Sequence, residues 1–140
     1  MPKKKYKVGY TTGVFDMFHI GHLNILKRAK EQCEYLIVGV TTDALCMQQK
    51  KKMPIICETE RAEIVSSIKY VDEVVWQDSM DKIVSVKKLQ ADAVFVGSDW
   101  KGTPSWDAYE KQFAEVGCVI VYLDHTEGIS SSILRERLNA

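Results

Sequence analysis

The sequence predicts an α/β domain: a doubly wound, parallel sheet of five strands with helices on both faces. Three observations predict it. Short β-rich runs alternate with amphipathic stretches along the chain. The runs are almost continuously apolar, as strands covered on both faces should be. No internal repeat or linker interrupts the alternation, and 140 residues suffice for one domain with a real core.

The first strand is "YKVGYTT" (6–12). After it, "HLNILKRAKEQ" (22–32) reads as a helix: Leu23, Leu26, Ala29 and Lys30 recur at helical spacing, with Lys27, Arg28 and Glu31 on the wetter side. "YLIVGVTT" (35–42) is the second strand. "MQQKKKMPIICE" (47–58), with three adjacent lysines and a proline, reads as a mobile loop. A helix over 58–69, a strand over 72–76, a helix over 79–90 and a strand over 92–97 follow. Thr103 and Pro104 then suit the N-cap and first position of a helix over 104–116, and Gly117 suits its end. "CVIVYL" (118–123) is the last strand, and "SSSILRERLNA" reads as a short helix capped by a serine.

Composition excludes several classes of function. Nineteen basic residues balance nineteen acidic ones, without the basic excess of a general nucleic-acid binder. No apolar run approaches the roughly 20 residues that span a membrane. The N-terminal lysines are not followed by an apolar stretch, so no secretory signal is expected and the protein reads as cytoplasmic. Cys33, Cys46, Cys57 and Cys118 show no C-x-x-C spacing and read as reduced thiols rather than a disulfide frame or zinc site.

In a doubly wound sheet, ligands bind beyond the carboxyl ends of the strands. Three unusual stretches fall there: "GVFDMFHIGH" after the first strand, "GSDWKGT" after the fourth and "DHTEGISSS" after the fifth. His19 and His22, three apart, share a face of a first helical turn. That turn's free N–H groups and dipole favour anions, and two imidazoles there suit phosphate and charge growing in a transition state. The alternatives are a hydrogen-bonded structural pair or a metal pair. A zinc helix, however, spaces its histidines by four around a glutamate. In "EGISSS", Gly128 permits close backbone approach, and Ser130, Ser131 and Ser132 offer hydroxyls where capping needs only one. Lys50, Lys51 and Lys52 could fold over a polyphosphate or form a solvated loop. Asp99 is a hydrogen-bond acceptor, and Trp100 is either a flat surface for a base or a core residue.

Together these residues resemble a known family. "GVFDMFHIGH" resembles the G-x-F-D-x-x-H-x-G-H signature of the H-x-G-H nucleotidyltransferase superfamily, and "HTEGISSS" resembles the R-T-E-G-I-S-T-S/T motif of its cytidylyltransferase branch. "YLIVGVTTD", "KYVDEVV" and "GSDWKG" are similar, in order and near spacing, to the patterns of bacterial glycerol-3-phosphate cytidylyltransferases. The resemblance implies one Rossmann-like nucleotidyltransferase domain over 1–140. It implies CTP and a small phosphorylated alcohol as substrates, Mg²⁺ accompanying the CTP, a homodimer, and neither nucleic acid nor membrane as partner. A phosphate oxygen of the alcohol would attack the α-phosphorus of CTP in line, and pyrophosphate would leave. The nucleophile is already an anion, so positioning and charge neutralisation would do most of the catalysis.

Residue by residue, the resemblance implies that His19 and His22 stabilise the triphosphate and the transition state, and that Lys51 or a neighbouring lysine reaches the phosphates. Gly13, Phe15, Asp16 and Gly21 carry over as nucleotide-binding positions, with Asp16 supporting the loop. Asp99 and Trp100 would lie near nucleotide or acceptor. His125, Thr126, Gly128, Ile129, Ser130 and Ser131 would lie near the triphosphate, and Arg61 matches an arginine of the family pattern. Two positions depart from it: His125 and Lys69 stand where the pattern has arginine, and neither offers the bidentate fork. The rival readings are an adenylyltransferase of the same superfamily acting on a phosphosugar or flavin, and a non-catalytic nucleotide-binding regulator.

Overall fold

The computed structural model describes residues 4–79, 81–124 and 136–138. In chain order the elements are β1 (Tyr6–Gly13), α1 (Ile20–Gln32), β2 (Cys33–Thr41), α2 (Asp43–Lys50), α3 (Glu58–Ser66), β3 (Glu73–Gln77), α4 (Lys82–Leu89), β4 (Ala93–Gly97), α5 (Pro104–Glu115) and β5 (Val119–Leu123). The strands form one sheet in the order β3-β2-β1-β4-β5, and every neighbouring pair is parallel. The chain thus winds outward from β1 through β2 to β3, then returns to β1's other side for β4 and β5. The reversal leaves a crevice at the carboxyl ends of β1 and β4, the topological switch point where such sheets bind ligands.

Both faces of the sheet are covered, which explains the unbroken apolar runs. On one face Leu26 and Ala29 of α1 and Val65 of α3 pack with Leu36, Val38, Val40 and Phe95. On the other, Val86 of α4 and Trp106 and Phe113 of α5 pack with Tyr10, Ile37 and Val94. Alternate strand residues feed the two layers because side chains leave a strand on opposite faces in turn.

The five strands follow the sequence expectation to within two residues at each end. At α5, Thr103 occupies the N-cap position and Pro104 the first turn, but the threonine hydroxyl donates to the Trp100 carbonyl (2.8 Å) instead of capping the helix. Gly117, at φ +76°, takes the left-handed conformation that ends it.

The lysine segment differs from its reading as a loop. Met47–Lys50 belong to α2, whose start is capped by the Thr42 hydroxyl accepting from Leu45 N–H (3.2 Å). The signal was present as threonine followed by Asp43 in the first turn, but the apolar residues, Ala44 to Met47, are consecutive and form no stripe at helical spacing. α3 ends at Ser66 rather than 69, and α4 starts at Lys82 rather than 79. The expected C-terminal helix lies mostly outside the described residues, of which 136–138 are helical. Among the described residues no helix is long and apolar enough to cross a membrane. Cys33, Cys46 and Cys118 are buried free thiols and Cys57 an exposed one.

Candidate active site

Beyond Gly13 the chain turns through two left-handed residues, Phe15 (φ 55°) and Met17 (φ 49°), a conformation that side chains other than glycine adopt at a cost. The Phe15 ring is buried and lies 5.4 Å from the His22 ring and 6.3 Å from Phe18. A Cβ at Gly13 would come within 3.1 Å of that ring, so glycine allows the loop to close over it. The loop delivers His19 to the N-cap of α1 and His22 to its third position.

There the two histidines form a capping box of an unusual kind. His19 Nδ1 accepts from Gly21 N–H (3.0 Å), and His22 Nδ1 accepts from His19 N–H (3.3 Å). The rings stack with centroids 3.9 Å apart and planes 23° apart. A ring nitrogen that accepts carries no proton, so each neutral imidazole holds its proton on Nε2. Burial, and secondarily the neighbouring His19, pushes the His22 pKa down to about 4, and burial also lowers that of His19. Both rings are therefore neutral Nε2–H donors at neutral pH. His19 Nε2 is buried and has no partner among the described residues, a donor left for a ligand. The Nδ1 edges start the helix, and the Nε2 edges take no part in the cap. The structural and the phosphate readings thus use different sides of the same rings. Among the described residues no three His, Cys, Asp or Glu side chains converge as a metal site.

Asp16 is buried, and its carboxylate accepts from the amides of Ile55 (2.8 Å) and Ile56 (2.9 Å). It clamps the histidine loop to the segment that follows the lysines. Arg61, 1% exposed, completes the brace. It donates to the carbonyls of Ile56 (2.8 Å), Val14 (2.7 Å) and Thr41 (2.8 Å) and to the Asp43 carboxylate (2.5 Å). Asp43 and Glu58 in turn accept from each other's backbone amides, joining the starts of α2 and α3. Lys51 is the left-handed C-cap of α2, and Lys50, Lys51 and Lys52 are exposed. A lysine run therefore sits between two fixed points, the end of α2 and the Asp16 clamp.

On the β4 side, a single turn of 3-10 helix, Ser98–Trp100, carries Asp99 and Trp100. Trp100 is 52% exposed, so it is a surface and not a core residue. The core tryptophan is Trp106, whose ring lies 6.3 Å from that of Trp100.

The sequence reading missed Lys82, the first residue of α4. Its Nζ donates to Thr12 Oγ1 (3.3 Å), one residue before the end of β1, and lies 5.7 Å from the centre of the Trp106 ring. Burial pushes its pKa down to about 8, and it forms no ion pair among the described residues. A desolvated cation at a helix start, where the dipole is also positive, is poorly placed for stability and well placed for an incoming anion. The histidine loop leads into α1 on one face of the sheet and Lys82 arrives from α4 on the other, so the two flank the carboxyl end of β1. His125, Thr126, Gly128, Ile129, Ser130 and Ser131 lie outside the described residues.

Comparison with known proteins identifies the family. The profile of the family described as cytidylyltransferase-like matches residues 10–137. The chain belongs to the cytidylyltransferase-like family. It is 36% identical over 127 residues to a glycerol-3-phosphate cytidylyltransferase of Bacillus spizizenii, covering 90% of this chain and 92% of that protein. It is also 41% identical over 98 residues to an FAD synthase of Thermococcus sibiricus, covering 69% of this chain and 66% of that one. Among solved structures, a lipopolysaccharide core biosynthesis protein of Thermoplasma volcanium superposes with a TM-score of 0.72 at 26% identity, covering 86% of this chain and 97% of that one. This cytidylyltransferase-like chain has the Rossmann-like nucleotidyltransferase fold.

Proposed function

We propose that the protein transfers CMP from CTP to a small phosphorylated alcohol of the glycerol 3-phosphate kind, forming a CDP-alcohol and releasing pyrophosphate. The observation that carries this reading is the histidine pair: two neutral imidazoles, each fixed at Nδ1 by a backbone amide and presenting Nε2–H beyond the carboxyl end of β1. An acceptor phosphate oxygen forms a bond to the α-phosphorus as the bond to the β-phosphate bridging oxygen breaks. The negative charge that builds on the departing oxygens is met by the Nε2–H donors, which need no rearrangement because the backbone already orients them. The electron pair leaves with pyrophosphate.

Lys82 supplies the cation for the acceptor's phosphate, from the opposite side of β1. The exposed Trp100 and Asp99 border the same crevice as contacts for nucleotide or acceptor. Lys51 and its neighbours reach over the triphosphate, with the Asp16 clamp fixing the segment's far end. The stretch at 125–131 adds the second phosphate contact that its sequence implies. The donors gathered at the mouth are N–H groups and an ammonium, which suit phosphate oxygens. Mg²⁺ therefore travels with CTP and neutralises its triphosphate, its ligands coming from phosphates and water.

The similarity to an FAD synthase favours a second reading, in which ATP replaces CTP. A pyrophosphate-release screen separates the two. CTP and ATP are each offered with glycerol 3-phosphate, phosphoethanolamine, phosphocholine, polyol phosphates and flavin mononucleotide. Turnover is expected with CTP and one of the alcohol phosphates. Turnover with ATP alone overturns the proposal.

A further inference from the structure

Trp106, Tyr109 and Phe113 recur at helical spacing along α5 and share one face of it. Their rings form a ladder. Phe113, fully buried, stacks on Tyr109 with centroids 5.7 Å apart, and Tyr109 meets Trp106 edge-on at 5.1 Å. The ladder climbs from the core layer towards the carboxyl edge of the sheet and ends under a cation: the Lys82 ammonium lies 5.7 Å from the centre of the Trp106 ring. Trp106 is 7% exposed, so its packed neighbours fix the ring in place.

The other contact of the ammonium is a weaker anchor. It is a long hydrogen bond, 3.3 Å, to the Thr12 hydroxyl. No acid in the first turn of α4 offsets the dipole, and neither ion pair among the described residues includes Lys82. A lysine stem is flexible, and its head ordinarily turns to water. A carboxylate would hold the ammonium more firmly but would cancel its charge. An aromatic face attracts a cation through the ring quadrupole and carries no net charge, so the full positive charge stays available to an incoming anion.

We propose that Trp106 is a positioning residue for the acceptor: its ring face holds the Lys82 ammonium at the mouth of the crevice, with its charge unneutralised, to meet the acceptor's phosphate. This rests on the reading of Lys82 as the acceptor-binding cation. Trp106 acts through that lysine and not on the nucleotide.

The test is steady-state kinetics of Trp106→Phe, Trp106→Leu and Lys82→Ala with the acceptor found by the screen, alongside melting curves. Phenylalanine and leucine leave gaps of similar size in the core, but only phenylalanine keeps an aromatic face. The KM for acceptor is expected to rise about three- to tenfold in Trp106→Leu and clearly less in Trp106→Phe, with the KM for CTP unchanged in both. In Trp106→Leu/Lys82→Ala the leucine is expected to add nothing to the acceptor KM of Lys82→Ala, because its effect passes through that lysine. Fluorotryptophan incorporation is the second probe, since it weakens the negative face of the ring with little change in volume and does not depend on the leucine variant folding. It is expected to raise the acceptor KM of the parent but not that of Trp106→Phe.

An unchanged acceptor KM in folded Trp106→Leu, or an equal rise in the phenylalanine and leucine variants, overturns the positioning role and leaves the reading of Lys82 intact. So does an equal loss from Trp106→Leu with and without Lys82, or a fluorotryptophan effect that is absent from the parent or the same in Trp106→Phe. An unchanged acceptor KM in Lys82→Ala overturns both.

Discussion

The rings of His19 and His22 lie stacked 3.9 Å apart, each accepting a backbone amide at Nδ1, so the peptide chain itself decides which ring nitrogen carries the proton. Side chains that cap a helix commonly do only that. Here the second nitrogen of each ring is held in one place by the cap and kept neutral by burial. In the proposed function, helix initiation and phosphate recognition share the same two side chains.

Substitutions that keep the cap separate these roles. Asparagine is a good N-cap, and glutamine suits the third position of a capping box. His19→Asn and His22→Gln are expected to melt within a few degrees of the parent while kcat falls about 10²- to 10³-fold, as for loss of a fixed donor to transition-state charge. His19→Ala is expected to lose about 1 kcal/mol of stability as well. An unchanged kcat in a well-folded His22→Gln removes that ring from the chemistry.

Stability is expected to depend on pH through His22. Its folded pKa, about 4, lies below the ordinary 6.5, so between these values the unfolded chain binds the extra proton. Stability therefore falls as pH drops from about 6.5 towards 4, by up to about 2–3 kcal/mol. Protonation of Nδ1 would also remove the acceptor for His19 N–H. Urea titrations from pH 4 to 7 check this, and His22→Gln is expected to flatten the dependence.

Lys82 sets a different window. The ammonium is present below about 8 and lost above it, whereas a phosphate monoester gains its second charge above about 6. The kcat/KM for acceptor is expected to be highest between those values and to decline above 8, because this ratio reports the free enzyme. In Lys82→Arg the alkaline decline is expected to vanish, since a guanidinium keeps its proton. An alkaline limb unaltered in Lys82→Arg assigns it to another group.

The Asp16 clamp predicts where the chain is cut. Asp16→Ala leaves the amides of Ile55 and Ile56 without their acceptor and is expected to speed limited proteolysis around Lys50–Lys52 several-fold. In the parent, CTP with Mg²⁺ is expected to slow the same cleavage if, as proposed, the lysines close over the triphosphate. Equal cutting with and without saturating CTP argues against closure.

Much of the fold was legible because its signals are short-ranged. Apolar runs mark the strands, Thr103–Pro104 and Gly117 mark the ends of α5, and the histidines announce themselves at a helix start. α2 was hidden because its apolar residues, Ala44 to Met47, are consecutive rather than spaced along one face, and because it ends on left-handed Lys51 rather than glycine. Trp100 and Trp106, six residues apart, look alike in sequence, yet one is half exposed and the other buried.

The sequence by itself determined the alternation of strands and helices, the presence of His19 and His22 at a capping turn, and the family. Each of these depends on residues a few positions apart, or on a pattern that needs no partner elsewhere. The tertiary structure alone decided the clamp of Asp16 on an amide 39 residues away, and which of many lysines loses its water. Lys82 meets Thr12 across 70 residues of chain and lies over a tryptophan of another helix. Desolvation is a property of the packed neighbourhood, so a lysine is ordinary in the chain and becomes chemically distinct only when β1, α4 and α5 close around it.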